Sequence, residues 1–377
     1  MRKRTKITVL KAAVNICRVL LGGTFIFSGF VKANDPMGTV YKLHDYLASF
    51  SLDILPDTFL LGCSVMLSVF EFMLGIDMLF AMNKKRTALL TTLFMGIMTL
   101  LTIYIVIANP VSDCGCFGDA IILSNEATLG KNIVLMAAAL IVLKYKKLLI
   151  DKVRSSLKGF ISLISFCSIV AYIVYCIVCL PHIDFRPYKV GTDLRTELEK
   201  ANSQSSFDVK IIYEKDGQTL ELSTDDDDPD STWTYIETKR TPTEGTKLEL
   251  SNFYIYNADD EEITDDIVYA DGYTLLLIIP NLLNADEGCV DKVNELYDEA
   301  IDQQISFYCL TASSDDKSQN YWRDHTGAEY EYSIADDRLL KTIVRGNPGL
   351  VLMKDGVIVN KWSNYNLPSS LADSYCK

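Results

Sequence analysis

Cys114 and Cys116, separated by a single glycine, are the residues of this chain whose type and spacing most directly permit chemistry. They sit in the stretch Asn109-Pro-Val-Ser-Asp113-Cys114-Gly115-Cys116-Phe117-Gly118-Asp119, between two apolar runs, Ala88–Ala108 and Leu129–Leu143. Thiol–disulfide exchange proceeds by attack of a thiolate, at a rate set by its pKa, its access and the leaving group. A bond closed between these two cysteines needs a tight ring, which Gly115 permits because glycine tolerates unusual φ/ψ. Departure from relaxed geometry makes such a bond easier to reduce, which suits an electron relay. Asp113 and Asp119 oppose a thiolate, so the motif is not expected to depress a cysteine pKa far. Two other readings of the pair stay open: a soft-metal site for Cu(I) or Zn, and structural bridges to other cysteines.

The chain holds ten cysteines, but most have a plainer use. Cys17, Cys63, Cys167, Cys176 and Cys179 fall in apolar sequence, where a cysteine is usually a small hydrophobe. Cys176 and Cys179, spaced i, i+3 on one helix face, are candidate secondary thiols, with helix packing the favoured role. The three histidines, His44, His182 and His325, lie far apart, so no metal site is expected from them. Arg18 and Glu71 are ionisable residues inside apolar runs. Counted from the ends of their spans nearest the basic flanks, they reach similar depths at ~1.5 Å per residue, so an intramembrane pair between them is expected. Such a pair either pins two helices together or marks a polar spot on a quinone or proton path. Asp77 is expected to face Lys84 and Lys85.

These residues must be held by membrane-spanning helices. Apolar runs at Thr8–Val31, Phe59–Ala81, Ala88–Ala108, Leu129–Leu143 and Phe160–Leu180 read as five spans. The fourth is short and is expected to extend into its flanks. The first is too long for a signal peptide and lacks a small-residue cleavage site, so it reads as an uncleaved anchor. Basic residues cluster at Arg2–Lys6, Lys84–Arg86 and between 144 and 158, whereas the 32–58 loop has only Lys32 and Lys42 and the 109–131 loop only Lys131. Positive loops stay cytoplasmic, so the N-terminus is expected inside, with the cysteine loop and all that follows Leu180 outside. In a bacterium this is the inner membrane and the oxidising periplasm, where thiol pairs can cycle.

Beyond about residue 180 the composition changes. The net charge of −13 belongs mainly to this second part, with the run Asp225-Asp-Asp-Asp-Pro-Asp230, and argues against a nucleic-acid partner. Strands are expected at Phe207–Glu214, Thr219–Ser223, Phe253–Tyr256, Tyr273–Ile279 and Ile305–Thr311, and helices at Val290–Gln303, Asp315–His325 and Asp336–Arg345. The last segment, Asn347-Pro348-Gly349-Leu-Val-Leu-Met-Lys-Asp355-Gly356-Val-Ile-Val359, reads as a hairpin with an Asp-Gly turn. This ending resembles the thioredoxins, whose cis-proline would correspond to Pro348, a candidate partner-binding residue. Where a thioredoxin carries Cys-x-x-Cys, the chain reads Asp286-Glu287-Gly288-Cys289, so the resemblance implies a degenerate site with Cys289 as at most a secondary thiol. Cys309 is expected to be buried in a central strand, and Cys376 carries no reading.

A second resemblance covers roughly residues 10–145. Arg18-Val-Leu-Leu-Gly-Gly-Thr-Phe-Ile-Phe-Ser-Gly-Phe-Val-Lys32, Asp35-Pro36 and Glu71-Phe-Met-Leu-Gly75 are similar to the DoxX-type membrane proteins. Cys114-Gly-Cys-Phe-Gly-Asp119 resembles the MauE branch, the methylamine-utilisation membrane proteins. The resemblance implies help in forming disulfides in a periplasmic protein beside a thioredoxin-like partner, and, through DoxX relatives, quinone-coupled respiration. The expected fold is an α-helical membrane bundle followed by an α/β thioredoxin-like domain. Its expected parts are a DoxX/MauE-like domain at 1–150, a fifth span at 151–181, a β-rich connection at 182–250 and a thioredoxin-like periplasmic domain at 251–377. The expected function is a thiol/disulfide redox protein, with catalytic Cys114 and Cys116, membrane lipid and a periplasmic protein thiol as partners, and a quinone as candidate cofactor. The alternative is a non-catalytic assembly or binding protein.

Overall fold

A computed structural model of the chain describes residues 2–49, 55–109, 111, 114–151, 153–204, 207–215, 218–223, 234–242 and 253–372. Asp113, the acidic run 225–230, Cys376 and Asp216-Gly217, the turn expected between the strands at Phe207–Glu214 and Thr219–Ser223, lie outside the described residues. The chain divides into two units, Met1–Phe185 and Arg186–Lys377.

The first unit is a helical bundle: α1 Arg2–Asn34, α2 Pro36–Ser49, α3 Asp57–Leu79, α4 Lys84–Ala108, α5 Asn125–Tyr145 and α6 Ser155–Val178. All but α2 are long and apolar enough to cross a membrane, so the chain is a multi-pass membrane protein, with five candidate spans among the described residues. The fourth span covers Asn125–Leu148, extended as expected. Its early polar residues stay helical because the Ser124 side chain caps the first turn, accepting from the Ala127 N–H at 3.2 Å. Helix α2 corrects the reading of 32–58 as a loop. Its start was legible: Asp35 accepts from the Gly38 N–H at 3.0 Å and Pro36 holds the first helical position.

Helix α1 packs most extensively on α3, and α4 on α5. The α1–α3 seam is built on glycines. A Cβ placed on Gly29 would meet the Phe72 backbone nitrogen at 2.5 Å, and one on Gly75 would meet the Ile26 nitrogen at 2.6 Å. Backbone-to-backbone approach of this kind is how small residues hold membrane helices together. It also fixes the register, with Gly22 against Gly75 and Leu79, and Gly29 against Ser68 and Phe72.

The second unit carries α7 Leu194–Gln204 and an antiparallel sheet ordered β2-β1-β3, with β1 Phe207–Lys215, β2 Gln218–Ser223 and β3 Thr234–Pro242. A mixed sheet follows, made of β4 Ile255–Tyr256, β5 Tyr273–Ile279, β6 Ser306–Thr311, β7 Tyr332–Ala335, β8 Gly349–Lys354 and β9 Val357–Ser363, in the order β4-β7-β6-β5-β8-β9. Strands β5, β6 and β7 are parallel, while β8 pairs antiparallel with β5 and β9 antiparallel with β8. Helices α8 Thr264–Val268, α9 Val290–Asp302, α10 Asp316–Thr326 and α11 Asp337–Ile343 complete the unit. The run Thr274–Ile279 is buried throughout, as a central strand covered on both faces must be. Asp315 and Asp336 cap α10 and α11 through the Ser318 and Leu339 N–H groups, both at 2.9 Å. Asp355 and Gly356 turn the β8–β9 hairpin with φ of 50° and 80°, as the Asp-Gly signal implies. Helices α7 and α8 had no counterpart in the sequence reading.

Candidate functional site

The connection between α4 and α5 folds onto the bundle. Asn109 ends α4 in a left-handed conformation, and Asn125 at the start of α5 donates to the Val111 carbonyl at 3.0 Å, pinning the two ends together. Gly115 has φ +63°, the left-handed region that favours glycine, and this turns Cys114 and Cys116 toward one another. Their sulfurs are 3.1 Å apart, in hydrogen-bond contact and unbonded, about 1 Å farther than a disulfide.

The two thiols are not equivalent. Cys114 is 8% exposed and packs with Ile105, Val111 and the ring of Tyr104, and its carbonyl accepts from the Tyr46 hydroxyl of α2 at 2.7 Å. Cys116 is partly exposed and borders a cleft of about 180 Å³ lined by Phe117, Ile121, Leu123 and Thr128. The hydrogen bond from the Cys114 thiol holds Cys116 down to about 6, Lys131 and Lys32 act in the same sense, and burial and Glu71 oppose. The same bond, then burial, push the Cys114 thiol well above the ordinary range. Lysines from two helices, Lys131 of α5 and Lys32 of α1, set the local charge, and Lys131 also lies 4.1 Å over the Phe117 ring.

Beneath the loop lies a buried ion pair that differs from the expected one. Glu71 pairs with Lys32 at 2.9 Å, with side chains 4% and 8% exposed. The Lys32 ammonium also donates to the Ser28 hydroxyl at 2.8 Å and to the Cys116 carbonyl at 2.9 Å. Ser28 donates to that same carbonyl at 2.7 Å. Arg18 instead donates to the Ile150 carbonyl at the opposite end of the bundle, where Asp151 is its acidic neighbour. The glycine register explains the difference: Glu71 lies level with Gly29, whereas Arg18 is level with the end of α3, about 20 Å from Lys32 at ~1.5 Å per residue. Lys32, read as a loop residue, is the last-turn cation of α1. The i, i+4 spacing of Ser28 and Lys32 was the signal for it. The cation whose field reaches Asp77 is Arg86, from the same basic connection as Lys84 and Lys85.

The other candidate thiols have surroundings of their own. Cys176 is buried near Tyr172 in α6, and Cys179 caps that helix, its N–H donating to the Tyr175 carbonyl at 2.7 Å; both are free thiols. In the second unit Cys289 is buried at the start of α9, and its thiol, pushed up to about 11 by burial, donates to the Asp286 carbonyl at 3.3 Å. Asp286 is a hydrogen-bonding hub. Its carboxylate accepts from Gly288 N–H and from the Asn364 amide at 2.9 and 2.7 Å, and its N–H donates to the Asn347 carbonyl at 2.9 Å. The Asn347–Pro348 peptide is cis. Cys309 is fully buried in β6. Among the described residues no cluster of three His, Cys, Asp or Glu side chains is placed to hold a metal ion.

No curated protein and no solved structure matches the chain. The match found is to a protein family, and it ends where the bundle's core helices end: over residues 10–145, from α1 to the end of α5, the chain is similar to methylamine utilisation protein MauE.

Proposed function

We propose that the first unit is a thiol–disulfide exchange protein of the membrane, with Cys116 the attacking sulfur and Cys114 the resolving one. The observation that carries this is the asymmetric contact: two thiols 3.1 Å apart, one partly exposed and the other buried. In the reducing direction the Cys116 thiolate attacks a partner disulfide, forming a mixed disulfide and releasing one partner thiolate. Cys114 then gives its proton to the partner thiolate just released and attacks the Cys116 sulfur. The Cys114–Cys116 bond forms, the second partner thiolate leaves, and two electrons have passed to the partner. Run in reverse, the site's disulfide oxidises a partner dithiol and must afterwards return two electrons to an acceptor, for which a membrane quinone is the candidate. The similarity of residues 10–145 to methylamine utilisation protein MauE supports a role in maturing a partner protein. The basic flanks at Lys84–Arg86 and 144–158 support a cytoplasmic face there and an outside, periplasmic position for the cysteine loop.

Single-cysteine variants test this. Cys114→Ala should accumulate a partner joined through Cys116, because no neighbour can resolve the adduct, while Cys116→Ala should trap little. If neither variant traps a partner, and both cysteines keep one redox state in oxidised and reduced cells, the exchange role is wrong.

For the second unit a specific observation favours a binding role. Strand order β6-β5-β8-β9 with β5 parallel to β6, helix α9 between them and a cis proline before β8 support a thioredoxin-like reading. Asp286, engaged on three sides, holds the position where such a domain needs its nucleophile. We read residues 251–377 as a domain that holds a partner without dithiol chemistry of its own.

A further inference from the structure

The buried pair beneath the loop has no role in the exchange steps, yet it touches Cys116 directly. Each proton of the Lys32 ammonium has its own acceptor: the Glu71 carboxylate, the Ser28 hydroxyl and the Cys116 carbonyl, all within 2.9 Å. Two donors, Lys32 and Ser28, converge on that single carbonyl. A charge pair taken out of water and aimed at a loop backbone is a costly arrangement for a membrane helix, and such arrangements tend to mark function. Helix packing alone would not require it, since Gly22, Gly29 and Gly75 already bring α1 and α3 into backbone contact.

We propose that Lys32 and Glu71 are positioning residues of the thiol site: Lys32 anchors the Cys116 carbonyl and supplies positive charge beneath the sulfur, and Glu71 limits that charge. This rests on the exchange reading, but its test does not need a partner. The groups facing Cys116 can be named element by element. Lys32 comes from α1, Glu71 from α3 and Lys131 from α5, with Cys114 from the loop itself. Helix α2 places the Lys42 stem against Gly115 and Tyr46 on Cys114, and α4 places Tyr104 there. Of these, Lys32 alone is bonded to the Cys116 backbone and paired to an acid at once.

The experiment is site-resolved alkylation of the reduced, full-length protein in detergent or native membranes, with iodoacetamide as probe and Cys116 followed by mass spectrometry across pH. The wild-type midpoint is expected near 6. Lys32→Gln should raise it by about one unit, the lower end of what a nearby opposite charge contributes. Glu71→Gln should lower it. The double variant, which keeps a neutral hydrogen-bonded pair and is the safest of the three to fold, should lie above wild type and below Lys32→Gln. A purely structural pair predicts shifts of the same sign in both single variants, or none, and either result overturns the proposal. An unshifted set of midpoints alongside successful trapping at Cys116 would reject this inference and leave the exchange reading standing. Opposite shifts without any trapped partner would do the reverse.

Discussion

Removing the carboxylate of Glu71 while leaving Lys32 in place should destabilise the bundle more than removing both charges. At the 2.9 Å separation of the pair, Coulomb's law with an effective dielectric of about 20 gives roughly 6 kcal/mol of attraction before any desolvation is counted. Mutational losses for one partner of a buried pair run about 3–5 kcal/mol, because the survivor is left charged and unpaired. Here the lower end applies, since the Lys32 ammonium keeps two neutral acceptors, Ser28 Oγ and the Cys116 carbonyl. Glu71→Leu is therefore expected to lose about 3 kcal/mol. The double variant Lys32→Met/Glu71→Leu leaves the Ser28–Cys116 bond intact and should lose clearly less, because replacing a whole buried pair by apolar side chains of similar volume is often neutral or even stabilising. The assay is a denaturing-detergent titration of the purified protein, following exposure of the buried Cys176 thiol by mass spectrometry. All three tryptophans, Trp233, Trp322 and Trp362, belong to the second unit, so their fluorescence would not report on the bundle. Additive losses in the double variant would refute the reasoning, because they would mean that Lys32 reaches water when Glu71 is gone.

The seam between α1 and α3 predicts that Gly29→Ala or Gly75→Ala forces the backbones apart and costs about 1–3 kcal/mol, as overpacking does, whereas Gly23→Ala, whose Cβ meets nothing within 4 Å, should be nearly silent in the same titration. Gly115→Ala places a side chain at φ +63°, so about 1–2 kcal/mol of left-handed strain should loosen the loop, seen as faster alkylation of the buried Cys114. Since Cys116 is held down to about 6, the sign of its linkage is that of a depressed acid. Its contribution to the stability of the reduced protein is fully present above the ordinary thiol pKa of about 8.5. It is lost as the pH falls through about 6, and Cys116→Ala should remove that slope from unfolding curves measured between those values. Alkaline phosphatase fused after residue 190 should be active, and fused after Lys85 inactive; the opposite pattern would put the thiols in a reducing compartment.

Sequence by itself determined whatever depends on neighbours along the chain. The five spans are legible because crossing hydrocarbon demands an unbroken apolar run, and that is a local property. The same holds for the starts of α10 and α11 at Asp315 and Asp336, the Asp355-Gly356 turn, and the Cys114-Gly115-Cys116 spacing that brings two sulfurs within reach. Helix α2 was legible too, in Asp35-Pro36, but its amphipathic run reads as a loop when only membrane-length apolar runs are sought. What tertiary structure alone decided is which charges meet. Depth counted from span ends pairs Glu71 with Arg18, but the α1–α3 register is set where Gly22, Gly29 and Gly75 let the backbones touch, and it puts Lys32 beside Glu71 instead. The asymmetry of the thiols is likewise a property of four helices at once. Tyr46 of α2 and Tyr104 of α4 cover Cys114, while Lys32 of α1 and Lys131 of α5 face Cys116. Burial and electrostatic field are sums over atoms close in space, so residues scattered from 32 to 131 tune a motif that the sequence spells in three letters.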